Sequence, residues 1–145
     1  MKIDRDQIGE GQLSEEQEIY RENILDHYKH PHNFGALLHY SFKHRELNPL
    51  CGDEIELFVA LEEGRVENVG FRGKGCAISQ ACMSMLSEEI KKKNLGEVKE
   101  TQQDDILKML GIRVGVVRMK CALLPLKTLH RGIEAFENNG KNTTH

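Results

Sequence analysis

The sequence has no excess of basic residues, no long apolar run and no closely spaced pair of cysteines. Lys and Arg total 20 against 23 Asp and Glu, a formal net charge of −3, which argues against a nucleic-acid-binding protein. No apolar run approaches the roughly 18 residues that a membrane span requires. The polar segment MKIDRDQIGEGQ contains no apolar stretch typical of a signal peptide. These absences predict a cytoplasmic protein that contacts neither nucleic acid nor membrane.

The sequence contains 4 cysteines, and no two of them form a C-x-x-C pair, which excludes zinc ribbons and thioredoxin-like motifs. In a reducing compartment, cysteines serve as metal ligands, reactive thiols or core residues more often than as disulfides. The cysteines are Cys51, Cys76, Cys82 and Cys121. Each is therefore a candidate ligand, nucleophile or core residue.

The length of 145 residues favours one domain with a substantial buried core. Neither internal repeats nor a low-complexity linker interrupts the sequence, whereas both ends are polar. We therefore predict a flexible lead-in over residues 1–13, a single domain over residues 14–137 and a flexible tail over residues 138–145.

Apolar residues at four-residue spacing predict an amphipathic first helix over residues 15–29. These apolar residues are Tyr20, Ile24 and Tyr28. Ser14 and Gln17 have the spacing of a capping box at the start of this helix. Pro31 predicts its end, because proline disfavours helical backbone at the residue before it.

Alternating apolar residues predict strands in the next part of the sequence. Leu38, Tyr40 and Phe42 favour a first strand over residues 38–44. The alternation over residues 55–61, the turn segment EEGR and the apolar residues at 66–71 predict a β-hairpin. The segment RGKG at 72–75 is predicted to end its second strand.

Helices are predicted again in the last part of the sequence, the first over residues 76–92. Thr101 and Gly111 predict the start and the end of a short helix. The segment IRVGVVRMKCALL is predicted to be a linker or a short strand, and Pro125 fits the first turn of the last helix. Cys121 is then expected in the turn before that helix. The whole pattern predicts an α+β domain in which helices pack against a small antiparallel sheet.

Three cysteines are predicted at the ends of secondary-structure elements, where functional side chains concentrate. Cys51 lies with Asp53 on the bend NPLCGDE, Cys76 follows the basic segment RGKG, and Cys121 precedes a helix. Three thiolates and a carboxylate suit a tetrahedral zinc site or an iron–sulfur cluster, and Cys76 is also a candidate nucleophile. Taken singly, each is equally consistent with a chance loop cysteine. Cys82, on an apolar helix stripe, is predicted in the core.

Four segments of the sequence carry a family resemblance. They are ILDHYKHPHNFG (24–35), NPLCGDEIEL (48–57), FRGKGCAISQA (71–81) and RMKCALLPLKTL (118–129). In this order they resemble the iron–sulfur scaffold family of IscU, SufU and the N-terminal domain of NifU. The resemblance implies a three-stranded antiparallel sheet flanked by helices. It also implies one metal-binding or cluster-binding site formed by Cys51, Asp53, Cys76 and Cys121.

The same resemblance implies a scaffold that accepts sulfur from a cysteine desulfurase. Such a scaffold passes a transient cluster, expected to be [2Fe–2S], to recipient apoproteins. The alternative is a zinc-dependent sulfurtransferase of the SufU type, with Asp53 as a zinc ligand. The expected sulfur acceptor is Cys121 in a scaffold and Cys51 in a zinc-type protein. A non-enzymatic scaffold is favoured over a sulfurtransferase, and a purely structural zinc domain is the third alternative.

Some positions depart from the family pattern. Lys120 stands where IscU-type proteins carry histidine, and it resembles the SufU type; we expect it to tune local charge or to pair with Asp53. SufU-type proteins usually carry an insertion between the second and third site cysteines. This sequence lacks that insertion, and in this respect it resembles the IscU type. The Leu-Pro-Pro-Val-Lys chaperone-docking motif of IscU is replaced by VGVVRMK. Arg118 and Lys127 are predicted to contact an acidic partner or the site.

The segment DHYKHPHN contains three histidines, His27, His30 and His32. Histidine-rich tracts can bind metal ions, but the family resemblance places no metal in this segment. We therefore predict that these side chains are solvated residues at the end of the first helix.

Overall fold

The structure is a computed structural model of the protein that describes residues 15–49 and 52–142. These residues form five helices and three strands. In chain order they are α1 (Glu15–Lys29), β1 (Phe42–Asn48), β2 (Asp53–Glu62), β3 (Arg65–Lys74), α2 (Ala77–Ile90), α3 (Leu95–Lys99), α4 (Gln103–Leu110) and α5 (Val116–Asn142). The predicted lead-in and the Ser14 cap lie outside the described residues. The α+β class and the three-stranded sheet flanked by helices are confirmed.

The three strands form one antiparallel sheet in the order β1-β2-β3. The β2–β3 hairpin closes at the pair Glu62↔Arg65, and both residues of its turn, Glu63 and Gly64, have positive φ angles of 52° and 77°. A two-residue turn with two positive φ angles matches the right-handed twist of the flanking strands. The predicted hairpin is therefore confirmed, and β3 ends at Lys74, inside the segment at 72–75 that was predicted to end it.

The hydrophobic core lies between the sheet and the long helices. Helices α2 and α5 pack against the sheet and against each other, and α1 packs against α2. Ile55 and Leu57 of β2 and Phe71 of β3 are fully buried in this layer. Each large apolar side chain that is removed from water contributes about 1.5–3 kcal/mol to stability. This core holds the ends of β2, β3, α2 and α5 together.

The first strand begins later than predicted. The predicted strand at 38–44 includes Leu38, which is 94% exposed, whereas β1 pairs with β2 from Phe42 to Asn48. The ladder with β2 decides the register, because paired backbone groups and the buried Phe42 favour this alignment. Tyr40 lies before the strand and packs edge-on against Phe58, at 5.5 Å between ring centroids.

The last helix also differs from the prediction. Helix α5 begins at Val116, and Pro125 lies inside it rather than in its first turn. A proline in a helix interior costs about 3 kcal/mol, and the buried apolar face of α5 offsets this cost. That face includes Cys121, Ala122, Leu124, Leu126, Leu129 and Ile133. Cys121 therefore lies on the helix and not in a preceding turn, and the helix continues through Asn142, past the predicted start of the tail at residue 138.

Smaller differences concern the ends of the shorter helices. Helix α2 agrees with the prediction, with its boundaries at Ala77 and Ile90. The N-terminal residue that caps α4 is Gln102 rather than Thr101, while Gly111 ends this helix in the left-handed conformation, at a φ of 73°. Helix α3, of five residues, was not predicted from the sequence. Within the described residues, no helix is long and apolar enough to cross a lipid bilayer.

Candidate metal centre

Three of the predicted site residues come together where the sheet meets α2 and α5. The ligand atoms of Asp53, Cys76 and Cys121 all lie within 4.8 Å of one another. Asp53 is the first residue of β2, Cys76 directly precedes α2, and Cys121 lies in the second turn of α5. Asp53 and Cys121 are 0% exposed and Cys76 is 7% exposed. Three elements that are distant in sequence thus contribute one side chain each to a buried group.

The turn between β1 and β2 places Asp53. Gly52 has a positive φ of 72°, a conformation that glycine adopts without steric cost. Its N–H donates a hydrogen bond to the carbonyl of Asn48 at 2.8 Å, and the strands then pair from Asn48↔Asp53 onward. The predicted bend therefore consists of this turn, and Asp53 is already part of the strand. Cys51 lies outside the described residues, so its membership of the site stays a prediction.

The end of β3 approaches Asp53 from the other side. The Cys76 N–H donates a hydrogen bond to Asp53 Oδ1 at 2.7 Å, and Cys76 Sγ lies 3.6 Å from Asp53 Oδ2. Gly75 has a φ of 131°, and a Cβ atom at this position would overlap Asp53 Oδ1. Only glycine permits such a close approach, so Gly75 is a part of the site that the sequence analysis did not single out.

Two polar residues in the first turn of α2 support the site. The Ser79 hydroxyl donates a hydrogen bond to the Cys76 carbonyl at 3.1 Å, and the Gln80 amide donates one to the Lys74 carbonyl at 3.2 Å. Ser79 is 0% exposed and Gln80 is 8% exposed. Buried polar side chains need partners, and here the partners are the backbone groups on both sides of Gly75. Two consecutive polar residues directly after the start of the predicted helix are the sequence signal that could have indicated this role.

The fourth cysteine lies in the core, as predicted. Cys82 is 0% exposed, and its Sγ donates a hydrogen bond to the Ala122 carbonyl at 3.3 Å. Burial, with a smaller contribution from the charge of Cys76, raises the pKa of the Cys82 thiol. A thiol with a raised pKa is a poor nucleophile at neutral pH, so Cys82 acts as a small apolar residue that joins α2 to α5.

Three basic residues of α5, Arg118, Lys120 and Lys127, were predicted to lie near the site or to contact a partner. Lys120 is exposed and lines a cleft with Leu47 and Pro49 at the end of β1. Its predicted role, to tune local charge or to pair with the buried Asp53, stays a prediction. Lys127 Nζ lies 3.9 Å from Glu46 Oε1, and Arg118 is half-buried in the first turn of the helix.

The donor atoms of the group fit both metals considered in the sequence analysis. Thiolate and carboxylate ligands suit zinc, and thiolate ligands suit iron–sulfur clusters. Asp53 Oδ1 accepts a hydrogen bond from the backbone N–H of Cys76, and Oδ2 lies 3.6 Å from Cys76 Sγ. Asp53 would therefore bind a metal ion through one oxygen, and Cys76 and Cys121 through their sulfur atoms.

The fold and this group of side chains define a class of small α+β proteins with a buried cysteine–carboxylate group that could hold a metal ion. Within that class, the chain belongs to the NifU-like N-terminal domain family, whose sequence profile matches residues 19–143. This match confirms the family resemblance described above.

Relatives of known name agree with this assignment. The chain is 36% identical over 136 residues to the zinc-dependent sulfurtransferase SufU of Bacillus subtilis (strain 168). This alignment covers 82% of this chain and 92% of that protein. It is 30% identical over 124 residues to the iron–sulfur cluster assembly scaffold protein IscU 1 of Archaeoglobus fulgidus. This alignment covers 85% of this chain and 80% of that protein. A crystal structure of a NifU-like protein (N-terminal) from Brucella abortus has the same fold, with a TM-score of 0.68, 19% identity and coverage of 84% and 96%.

Proposed function

We propose that the protein is a scaffold for iron–sulfur cluster assembly. In this proposal it accepts sulfur from a cysteine desulfurase, holds a nascent cluster at Cys51, Asp53, Cys76 and Cys121, and transfers it to recipient apoproteins. The observation that carries the proposal is the convergence of Asp53, Cys76 and Cys121 within 4.8 Å. Relatives in the family carry names of scaffold proteins. Because free thiols persist in reducing compartments, we place the protein in the cytoplasm.

Sulfur transfer would follow thiol–disulfide exchange chemistry. A thiolate of the scaffold attacks the terminal sulfur of a persulfide on the desulfurase. The sulfur–sulfur bond of the donor breaks, a new one forms on the scaffold cysteine, and the donor cysteine leaves as a thiolate. An external reductant then supplies two electrons that convert the transferred sulfur to sulfide, which combines with ferrous iron. Cys121 and Cys51 are the candidate acceptors.

The donor set suits a cargo that has to leave again. Thiolates bind the iron of clusters firmly, whereas a carboxylate is a harder ligand that prefers other metal ions. Asp53 is anchored through Oδ1 to the backbone of Cys76 and would bind iron through Oδ2 alone. A site with one weaker ligand would hold a cluster, proposed to be [2Fe–2S], and release it to an apoprotein.

Anaerobic reconstitution tests this proposal directly. The protein is incubated with ferrous iron, cysteine, a reductant and a cysteine desulfurase, and the visible absorption spectrum is followed. We expect a cluster chromophore with the unaltered chain and with Cys82→Ala, and none with Cys76→Ala. The Cys82 variant is the matched control because its thiol is also buried, outside the group that contains Asp53. An unaltered chain that stays colourless would overturn the scaffold proposal.

A zinc-dependent sulfurtransferase is the second candidate function. The 36% identity to SufU and the lysine at position 120, which is shared with the SufU type, favour it. It predicts that the purified protein retains zinc and increases the turnover of the desulfurase without gaining colour. Zinc content and desulfurase turnover, measured on the same preparations as the visible spectrum, separate this candidate from the scaffold.

A further inference from the structure

Two histidine rings lie next to each other at the end of α1, remote from the thiol site. The ring centroids of His27 and His32 are 4.5 Å apart, and the ring planes are tilted by 39°. His27 is half-buried, so it is not the solvated residue that the sequence predicts. Both rings line a cleft that is also lined by Asn23, Glu88 and Glu89.

Both rings are held through the same nitrogen atom. His27 Nδ1 is hydrogen-bonded to the hydroxyl of Ser84 at 2.7 Å, and Ser84 is 0% exposed. His32 Nδ1 is hydrogen-bonded to Glu88 Oε1 at 3.2 Å. The backbone N–H of His32 also donates to the Ser84 hydroxyl at 2.7 Å. These bonds fix the position of both rings and use neither of the two Nε2 atoms.

This arrangement is typical of histidines that bind metal ions. A metal-bound imidazole usually donates its second ring N–H to a carboxylate or another oxygen, which orients the ring and increases its basicity. In the tautomers that carry the proton on Nδ1, Ser84 and Glu88 accept these two hydrogen bonds, and each Nε2 atom has its lone pair for a metal ion. Glu88 thus acts as an orienting group for His32 and is not counted as a ligand.

The distance between the rings and the local charge also fit a cation. Two nitrogen atoms bound to one zinc ion lie at most about 4 Å apart, because each zinc–nitrogen bond is about 2.0–2.1 Å long. A distance of 4.5 Å between the ring centroids is compatible with two Nε2 atoms in this range. The carboxylates of Glu88 and Glu89 line the cleft together with one cation, Lys108, so negative charge predominates there.

We propose that His27 and His32 form a second metal site, which binds a divalent transition-metal ion through the two Nε2 atoms, with water completing the coordination. Imidazole ligands suit zinc, copper, iron and nickel. Ser84 lies on α2 about 12 Å along the helix axis from Cys76, at 1.5 Å per residue. The proposed site is therefore separate from the thiol site and does not depend on the function proposed for it.

The experiment is a Zn²⁺ titration of the full chain, followed by long-range proton–nitrogen NMR spectra of the histidine rings. The first equivalent of zinc is expected at the thiol site. The second is expected to shift the Nε2 resonances of His27 and His32 and to leave those of His30 and His130 in place. No shift of the His27 and His32 resonances up to a fivefold excess of zinc would overturn the proposal.

Two matched variants locate the second ion independently. His32→Gln is expected to weaken binding of the second equivalent by about 10-fold or more, on the scale of losses at metal sites. His30→Gln, an exposed residue of the same segment that does not line the cleft, is expected to change nothing. Equal weakening by both variants would overturn the proposal. If His32→Gln fails to fold, the NMR titration of the unaltered chain still decides the question.

Discussion

Asp53 binds both the backbone and the thiol of Cys76. Its Oδ1 accepts the Cys76 N–H at 2.7 Å, and its Oδ2 lies 3.6 Å from Cys76 Sγ. One carboxylate therefore joins the start of β2 to the start of α2 and directs an oxygen atom to the site at the same time. The structural role of Asp53 and its proposed metal-binding role belong to different oxygen atoms, so they can be separated by substitution.

The variant Asp53→Asn is expected to keep the first role and lose the second. The carbonyl oxygen of asparagine can still accept the Cys76 N–H, while its NH₂ group replaces the oxygen that faces the thiols and cannot bind a metal. We expect metal affinity to fall by at least about 10-fold, with little change in stability. Asp53→Ala also removes the acceptor of a buried N–H, and we expect it to lower the free energy of unfolding by a further amount of about 1–3 kcal/mol. Zinc competition and urea unfolding measure the two effects, and equal stability of the two variants would contradict this division of roles.

Gly75→Ala is expected to impair the site without a change in any ligand. The new Cβ would overlap Asp53 Oδ1, and the φ of 131° is one that alanine rarely adopts. Asp53 must therefore move, and we expect zinc affinity to fall by about 10–100-fold, the usual effect of groups that orient ligands. Gly115→Ala is the matched control, since a Cβ there meets no atom of the described structure within 4 Å. Isothermal titration with zinc compares the two, and unchanged affinity in Gly75→Ala would show that Asp53 adapts freely.

Periodic residue patterns predict only part of this fold. Helix α1 and the β2–β3 hairpin are predicted correctly because apolar residues recur at helical spacing in α1 and alternate in the strands. The register of β1 is not local, since it depends on pairing with β2 from Phe42 to Asn48. The start of α5 is predicted wrongly because Pro125 is weighed as a local signal. The packing of residues such as Cys121 and Leu124 against the sheet and α2 outweighs it.

The candidate site, like the fold, is only partly predictable from local sequence. The residue types and the predicted places at element ends indicate Asp53, Cys76 and Cys121 as candidates, although Cys121 lies inside α5 and only the fold brings the three together. The contribution of Gly75 could not be predicted from its type alone, because glycine after a strand is equally typical of an ordinary turn. It follows from the position of the Asp53 carboxylate in the neighbouring strand.

Substitution of Cys82 tests whether this cysteine contributes to the core alone or also to the metal site. Cys82→Ala leaves a small cavity between α2 and α5 and is expected to lower stability by about 1 kcal/mol, the typical effect of a point substitution. Cys82→Ser is expected to keep the hydrogen bond to the Ala122 carbonyl. Both variants should bind as much zinc as the unaltered chain, because the Cys82 thiol is not part of the group that contains Asp53. A loss of bound zinc in either variant would place Cys82 in the site after all.

Stability at acidic pH is expected to depend on Glu46, which joins β1 to α5. Its carboxylate accepts hydrogen bonds from His44 at 2.5 Å and from Arg131 at 3.1 Å, and Lys127 lies 3.9 Å away. Burial acts to raise the pKa of Glu46, but the hydrogen bond from His44 and the charges of Arg131, His44 and Lys127 outweigh it and hold the pKa below its usual value. The ionised carboxylate therefore binds its partners better in the folded protein than in the unfolded chain.

This stabilisation is present above the pKa of an unfolded glutamate, about 4.3, and is lost as the pH falls through the lower pKa of the folded state. Glu46→Gln should lower stability at pH 7 by about 1 kcal/mol and should show a smaller further loss between neutral and acidic pH. Urea unfolding at a series of pH values measures both effects. Glu134→Gln, an exposed position on α5, is the control and should follow the pH profile of the unaltered chain. If the Glu46 variant followed that profile as well, the carboxylate would not contribute to the acid sensitivity of the β1–α5 contact.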